Sequence, residues 1–307
     1  MSSCVLFLPR LLGPASRAVY LLGRRLFPVE MLLAQRQISR NVSRSTLTIG
    51  VLFVVLWALV VWFFAMKPYV LPSPAEVAQS LWTDGPSLLG SLWFTLEVTL
   101  LALAAAVLIG GLIAVVFSLS RLVEISFFPY VVILQVTPLI AIAPLLIIWV
   151  HVMSKAAGGD DHPMIALLIC AWIVAFFPIV ANTTAGLNSA DRNLLALFRL
   201  YGASRWRTLW LLRMPTAMPY FLTGVRISGG LALIGAVAGE FVAGTGGAET
   251  GLAYRILEAQ YRLMTARLFA ALILLSMTGV VIYLALDQLS RLILRRWHES
   301  VGGGEEG

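Results

Sequence analysis

Few side chains in this sequence could take part in covalent or metal chemistry. The 307 residues include only three histidines and two cysteines. His151, Asp160, Asp161 and His162 lie close enough in sequence to offer nitrogen and oxygen ligands to a zinc ion. The sequence contains neither His-Glu-x-x-His nor Gly-x-Ser-x-Gly, which mark zinc and serine hydrolases. We therefore expect solvated loop residues and no metal site, and an enzyme remains the alternative that a bound metal would favour.

Arginine alternates with apolar and aromatic side chains over residues 189–215. Such a stretch is too short and too charged to cross a bilayer, and too apolar to sit free in water. It is either an amphipathic helix pair on the membrane surface or a docking element that inserts into a groove on a cytoplasmic partner. For the second interpretation the contact residues are Leu197, Phe198, Leu200, Tyr201, Gly202, Ala203, Ser204, Arg205, Trp206, Leu209, Trp210 and Pro215, with Trp206, Leu209 and Trp210 as the buried anchors.

The same stretch carries the signals of two short helices with a break between them. Ser189 or Asp191 can cap the first helix. Gly202 suits the left-handed residue that ends it. Ser204 can cap the second helix, and Pro215 is predicted to stop it.

Polar side chains within apolar runs are candidates for a solute pathway. These are Gln135, Thr137, Pro138, Asn182 and Glu240. A proline break beside polar residues is common where a helix lines a cavity. Hydrogen bonding between helices is the alternative for the uncharged residues, and a packing role is the alternative for Glu240.

Two other ionisable residues also fall within or near apolar runs. Arg226 is expected to extend its side chain to the membrane surface, and Asp287 is expected to reach the cytoplasmic interface.

The elements that position these residues must be membrane helices. The chain is 60% hydrophobic and 12% charged, with a mean hydropathy of +0.90, whereas a soluble domain has about 25% charged residues. A water-soluble fold and a disordered chain are both excluded. The sequence predicts an all-α membrane protein with six transmembrane helices, at Leu47–Met66, Leu92–Leu119, Ser126–Val150 (broken by Pro138 and Pro144), Pro163–Leu187, Pro219–Ala243 and Leu268–Leu289.

The positions of lysine and arginine predict the orientation of these spans. The connections on one side, with both termini, carry 16 basic residues, and the connections on the other side carry 5. Because basic residues are enriched on the cytoplasmic side, both termini are predicted to be cytoplasmic. This distribution accounts for the net charge of +7, so no nucleic-acid partner is needed.

The chain is predicted to comprise three parts. Residues 1–46 form a basic cytoplasmic segment that lies on anionic lipid, or else translation starts at Met31. Residues 47–298 form the six-span domain, with the 189–215 loop on its cytoplasmic side. Residues 299–307 form a flexible C-terminal tail.

The loop resembles the signature of bacterial ABC importer permeases of the binding-protein-dependent type. In that family a Gly is followed ten residues later by an aliphatic residue and then by Leu-Pro. Here Gly202, Leu212, Met214 and Pro215 fill those places. The family usually has Glu-Ala-Ala before the Gly, and this chain departs from it with Ala196-Leu197-Phe198, so a glutamate contact does not carry over.

Other segments are similar to the nitrate, sulfonate and taurine branch of that family, which includes permeases for pyrimidine precursors. They occur in the same order from about Leu71 to His298. They include Leu71–Val77, Thr137-Pro138, Phe177-Pro178 with Asn182, Gly224-x-Arg226, Glu240-Phe241 and Gly251-Leu252.

The resemblance implies a type I ABC importer permease fold in the bacterial inner membrane, and it implies partners. Two permease subunits, as a homodimer, would form the pathway, two ATP-binding cassette subunits would dock on the loops, and a periplasmic binding protein would deliver a small organic or anionic solute. ATP and Mg would bind the ATPase, because this chain has no Walker A sequence and no cofactor of its own. The remaining alternative is an ion-coupled secondary transporter, which usually has an internal repeat; none is convincing here.

Overall fold

The computed structural model describes residues 48–156, 158, 163–244 and 250–298. Within these ranges every regular element is a helix, as the sequence predicted. The helices are α1 Thr48–Phe63, α2 Pro74–Thr83, α3 Gly85–Leu119, α4 Arg121–Val136, α5 Leu139–Ala156, α6 Pro163–Asn188, α7 Arg192–Leu200, α8 Arg205–Thr208, α9 Met214–Ala243, α10 Leu252–Tyr261 and α11 Thr265–His298.

Five of the predicted six spans are confirmed by length and composition within the described part of the chain. They are Gly85–Leu119, Leu139–Ala156, Pro163–Asn188, Arg205–Ala243 and Thr265–Leu294. The predicted first span overlaps α1, which is apolar over its described part, Thr48–Phe63. The chain divides into two compact units, Met1–Met66, which includes α1, and Lys67–Gly307, which includes the other helices.

The predicted third span is built differently from the expectation. The chain forms two helices, α4 and α5, and Pro138 lies in the break between them. Pro144 was also expected to break the span, but it lies inside α5. It is the sixth residue of α5, so only the first turns of that helix are affected by its missing N–H group.

The core of the second unit lies where α3, α6 and α9 pack together. Leu103 and Ala106 from α3, Ala175 and Ile179 from α6, and Ala232 from α9 form one buried cluster. Ser228 of α9 is fully buried, and its hydroxyl donates to the backbone oxygen of Ala175 at 2.6 Å. This hydrogen bond joins α9 to α6 at a depth where water is absent.

Small residues let α9 approach its neighbours closely. A Cβ built on Gly235 would lie 2.8 Å from the Cα of Ala171 on α6. A Cβ on Gly229 would overlap the Leu286 side chain of α11. Gly230 meets nothing within 4 Å. Most of the α9 glycines therefore serve packing within this chain, and Gly230 faces an open surface.

Candidate functional site

The loop after α6 folds into a helical hairpin, here called the 191–213 hairpin. Its first arm is α7. The Asp191 carboxylate caps α7 by accepting the backbone N–H groups of Asn193 at 2.6 Å and Leu194 at 3.4 Å. Of the two predicted caps, Asp191 is therefore the one used.

The end of α7 is closed by a glycine-dependent turn. Gly202 has a φ of 67°, a left-handed conformation that costs a residue with a β-carbon about 1–2 kcal/mol. Its N–H donates to the Arg199 oxygen at 3.0 Å, and the N–H of Ala203 donates to the Phe198 oxygen at 2.9 Å. These two bonds form a Schellman motif. The left-handed helix end predicted at Gly202 is confirmed.

The second arm begins as predicted and ends differently. Ser204 caps α8 by accepting the N–H of Arg207 at 3.3 Å. Pro215 was expected to stop this arm, but the helix continues from Arg205 to Ala243 without a break. A π turn, Leu209–Arg213, ends two residues before the proline. Its wider backbone accommodates the ring that would otherwise clash with the preceding turn. The second arm is thus continuous with the span α9.

The apex of the hairpin presents apolar and aromatic side chains to the outside. Before the turn, Leu200 is 85% exposed and Tyr201 is 82% exposed. After the turn, Trp206 and Trp210 are also exposed. Leu197, Gly202, Ser204 and Arg205 are exposed as well, whereas Phe198, Ala203 and Pro215 are partly buried. An exposed apolar patch of this kind is typical of an interaction surface.

Leu209 was predicted to anchor the hairpin in a partner, and the structure corrects this. Leu209 is 1% exposed and packs with Ala114 of α3, Leu187 of α6 and Ala217 of α9. The π turn aims its side chain inward, so Leu209 anchors the hairpin to its own spans.

A further bond fixes the hairpin to α3, and the sequence gave no signal for it. The Arg213 Nη1 donates to the backbone oxygen of Ser118 at 2.7 Å, across 95 residues. Together with the packing of Leu209, this bond joins the base of the hairpin to the C-terminal end of α3.

A cavity of about 660 Å³ lies between the hairpin and the junction of α3 and α4. Its walls combine arginines and hydroxyl groups with apolar side chains. The lining residues are Ser118, Leu119, Ser120, Arg121, Leu195, Arg199, Ala203, Arg205, Thr208, Leu209 and Arg213.

The uncharged pathway candidates lie on two different helices. Gln135 is exposed near the end of α4, and Pro138 is exposed in the break that follows. The Thr137 hydroxyl donates to the Ile133 oxygen at 2.7 Å, and the Asn182 amide donates to the Pro178 oxygen at 2.8 Å. These bonds stay within local backbone, so neither group bridges two helices as the alternative interpretation supposed.

Glu240 lies in a buried cap at the end of α9. It is 3% exposed, and its Oε2 accepts the N–H of Ala253 at 2.9 Å. The neighbouring N–H of Leu252 donates to the Thr95 hydroxyl of α3 at 2.8 Å. Any side chain at Gly251 would overlap the Glu240 carboxylate. Glu240 and Thr95 therefore cap α10, a geometry that supports the packing role for Glu240; Thr95 had not been singled out from the sequence.

Arg226 has its polar partners on α11. Its Nη1 pairs with Asp287 Oδ1 of α11 at 3.0 Å, and its Nη2 donates to the Ser290 hydroxyl at 3.2 Å. Asp287 is 8% exposed. Since a charge inside the membrane is costly alone, the two residues neutralise each other within the bundle.

The suggested zinc ligands Asp160, Asp161 and His162 lie outside the described residues, as do residues 1–46 and the 299–307 tail. Among the residues that the structure describes, no group of three or more histidine, cysteine or acidic side chains could hold a metal ion.

Comparison with known proteins supports the resemblance seen in the loop. Residues 106–298 match the model of the family described as binding-protein-dependent transport system inner membrane component. The riboflavin transport system permease protein RibX of Chloroflexus aurantiacus is 33% identical over 81% of this chain and 88% of that protein. The formylaminopyrimidine transport permease protein ThiX of Halalkalibacterium halodurans is 30% identical over 78% of this chain and 92% of that protein.

A third relative and a solved structure are also similar to this chain. The taurine transport system permease protein TauC of Escherichia coli is 30% identical over 86% of this chain and 93% of that protein. The crystal structure of an amino acid ABC transporter has a chain that superposes with a TM-score of 0.54 at 20% identity, covering 71% of this chain and 97% of that one. At that identity the likeness shows the fold alone.

Proposed function

Because the chain belongs to the family of binding-protein-dependent transport system inner membrane components, we propose that it couples ATP hydrolysis on a separate subunit to solute import. The chain is an ABC transporter permease and not itself an enzyme. Membership of this family sets aside the enzyme, and it supports ATP-driven import over an ion-coupled secondary transporter.

The proposal rests on one observation: the exposed hairpin apex is rigidly joined to the spans. Leu200 and Tyr201 project outward, while Leu209 and Arg213 fix the hairpin base to α3 and α6. The second arm runs into α9 without a break. A force applied at the apex therefore moves α9 as a near rigid body.

The assembly proposed here has two copies of this chain, two ATP-binding cassette subunits on the 191–213 hairpins and a periplasmic binding protein on the opposite side. ATP and Mg bind between the cassette subunits, and their closure pulls the hairpins together. The chain resides in the bacterial inner membrane with both termini in the cytoplasm. Gln135, Thr137, Pro138 and Asn182 are the candidates for contact with the solute.

The proposed solute is a small sulfonate-like or pyrimidine-like compound. The relatives named for taurine and for formylaminopyrimidine support this class, since each is 30% identical to the chain over more than three quarters of its length. Loss of labelled taurine or formylaminopyrimidine uptake in a deletion strain, and its return with the gene, would identify the member of the class.

Gly202→Glu tests the docking role. The position has a left-handed φ, yet a Cβ there meets nothing within 4 Å, so the chain should still insert into the membrane. A glutamate at the apex should strain the turn and place a charge in the contact surface. We expect solute-stimulated ATP hydrolysis, measured on the tagged transporter purified from its own host, to fall about tenfold or more.

Two further variants make this result specific. Gly202→Asn should keep most of the activity, because asparagine tolerates the left-handed conformation. Gly90→Glu introduces the same charge at an open glycine of α3 near the other end of the spans, and it should leave ATP hydrolysis within about twofold. Undiminished hydrolysis by Gly202→Glu would refute the docking role.

A further inference from the structure

The cavity behind the 191–213 hairpin has the charge of an anion-binding site. Four of its lining residues are arginines: Arg121 at the start of α4, Arg199 in α7, Arg205 in α8 and Arg213 in the π turn. The lining includes no acidic residue. Three hydroxyl residues also line the walls. Ser118 and Thr208 donate their hydroxyl hydrogens to the backbone oxygens of Val115 and Ser204. Ser120 accepts the N–H of Val123 through its hydroxyl oxygen, so its hydrogen can be donated to an anion.

Two of the four arginines already have partners within the chain. Arg213 donates to the Ser118 backbone oxygen at 2.7 Å. Arg121 pairs with Glu124 at 2.8 Å. Within the described part of the chain, no ion pair to an acidic side chain is found for Arg199 or Arg205. These two guanidinium groups line the cavity with their charge uncompensated, and they sit on opposite arms of the hairpin.

The position of the cavity indicates which anion it takes. Ser118 and Leu119, the last residues of the span α3, line the cavity, so it lies at the end of a helix that is long and apolar enough to cross a bilayer. Leu119, Leu195 and Leu209 give it an apolar side as well. An arginine-lined pocket with apolar walls at a helix end suits a phospholipid, which brings a charged phosphate and acyl chains together.

We infer that this cavity binds the phosphate of an anionic phospholipid headgroup, with Arg199 and Arg205 as its principal ligands. The lipid would join the hairpin to the α3–α4 junction in addition to the Arg213 bond. The inference takes from the proposed function only the cytoplasmic location of the hairpin, and lipid binding by the chain alone does not depend on ATPase docking.

The test is lipid binding by the purified full-length chain, without any ATPase, measured by native mass spectrometry after removal of endogenous lipid. Phosphatidylglycerol, which is anionic, is compared with zwitterionic phosphatidylethanolamine. We expect phosphatidylglycerol to bind more tightly by about tenfold, and Arg199→Gln/Arg205→Gln to reduce its affinity by about twentyfold, since each arginine near an anionic headgroup contributes about fivefold.

A matched control separates a site from general positive charge. Arg192→Gln/Arg207→Gln removes two exposed arginines of the same hairpin that do not line the cavity, and it should reduce the affinity by less than about twofold. Equal losses in the two double variants would overturn the site.

Two other arms distinguish the source of the anion. Inorganic phosphate at millimolar concentration should not displace phosphatidylglycerol; displacement would assign the cavity to a soluble phosphate and overturn the lipid. Addition of the purified ATPase partner should leave the lipid bound. Release of the lipid from the wild-type chain on addition of the ATPase would assign the arginines to a carboxylate of the partner instead.

Discussion

One ion pair inside the bundle joins two helices that lie far apart in sequence. Arg226 of α9 and Asp287 of α11 pair at 3.0 Å, and Asp287 also accepts Arg291 at 2.7 Å. The side chain of Arg291 is 71% exposed, whereas that of Asp287 is 12% exposed. Breaking the Arg226–Asp287 pair should therefore cost more stability than breaking the exposed Asp287–Arg291 pair. The Arg226–Asp287 pair also joins α11 to α9.

Asp287→Asn should destabilise the chain because it leaves the Arg226 guanidinium without its counter-charge. Arg291→Gln is the control: an exposed pair contributes only about 0.5 kcal/mol, so its effect on the melting temperature in detergent should be small. Removing both charges, in Arg226→Met/Asp287→Leu, should recover part of the loss. Equal melting temperatures for Asp287→Asn and Arg291→Gln would contradict the assigned role.

The contribution of Glu258 to the stability of α10 depends on pH. The hydrogen bond from Arg255 at 3.0 Å, with the nearby charge of Arg262, holds the pKa of Glu258 below its ordinary value of 4.5. A carboxyl whose folded pKa is lowered contributes stability above pH 4.5, and that stability is lost as the pH falls through the folded pKa.

Glu258→Gln should therefore lower the melting temperature slightly at pH 7 and progressively less as the pH falls below 4.5. Thermal unfolding of both proteins in detergent between pH 3 and 7 measures this. A difference between the two proteins that grows with acidification would contradict the assignment.

At the scale of elements, α9 has two tasks that use different residues. Its N-terminal end continues the hairpin through the π turn and Pro215. Its middle packs against α6 through Ser228 and Gly235. Because the same helix carries both contacts, movement of the hairpin must be transmitted to the α6 side of the bundle.

Gly235→Val and Gly230→Val separate packing within the chain from packing at an outer face. A Cβ added at Gly235 would lie 2.8 Å from the Cα of Ala171, so valine at this position must push the backbones of α9 and α6 apart. Overpacking of this kind costs about 1–3 kcal/mol. Gly230 faces open space, so its variant should unfold like the wild type. Unfolding of the single chain in detergent measures both; equal stability of the two variants would contradict the packing.

At the scale of the whole molecule, the positive charge is concentrated at the end of the bundle where the hairpin lies. The hairpin carries five of the chain's arginines, and its exposed apex lies at the opposite end of α9 from the α10 cap. If basic residues mark the cytoplasmic side, the apex and the α10 cap face opposite compartments. A permease requires this separation, since its ATPase and its binding protein act on opposite sides of the membrane.

Single cysteines test this orientation in a chain whose native cysteines are replaced. Trp82→Cys lies at an exposed position of α2, and Tyr201→Cys lies at the exposed apex. A membrane-impermeant maleimide should label Trp82→Cys in intact spheroplasts and Tyr201→Cys only in inverted vesicles. The opposite pattern would place the hairpin in the periplasm and end the proposed coupling.

The local features of the hairpin followed from the sequence because they depend on neighbouring residues. A cap at Asp191, a left-handed residue at Gly202 and a cap at Ser204 each involve atoms within a few positions of one another. The apolar spans followed from composition and length for the same reason. Even here Pro215 was predicted wrongly, since a π turn is rare and has no clear sequence signature.

Only the tertiary structure decided what each buried polar or apolar group touches. The partners of Arg213 and Leu252 lie 95 and 157 residues away in sequence, and Arg226 finds Asp287 on another span. From the sequence, Leu209 cannot be distinguished from an apolar residue that anchors a partner. The rotation of its helix places it in the core. Sequence spacing gives a helix and its faces, whereas the neighbour that covers each face depends on how α3, α6, α9 and α11 pack together.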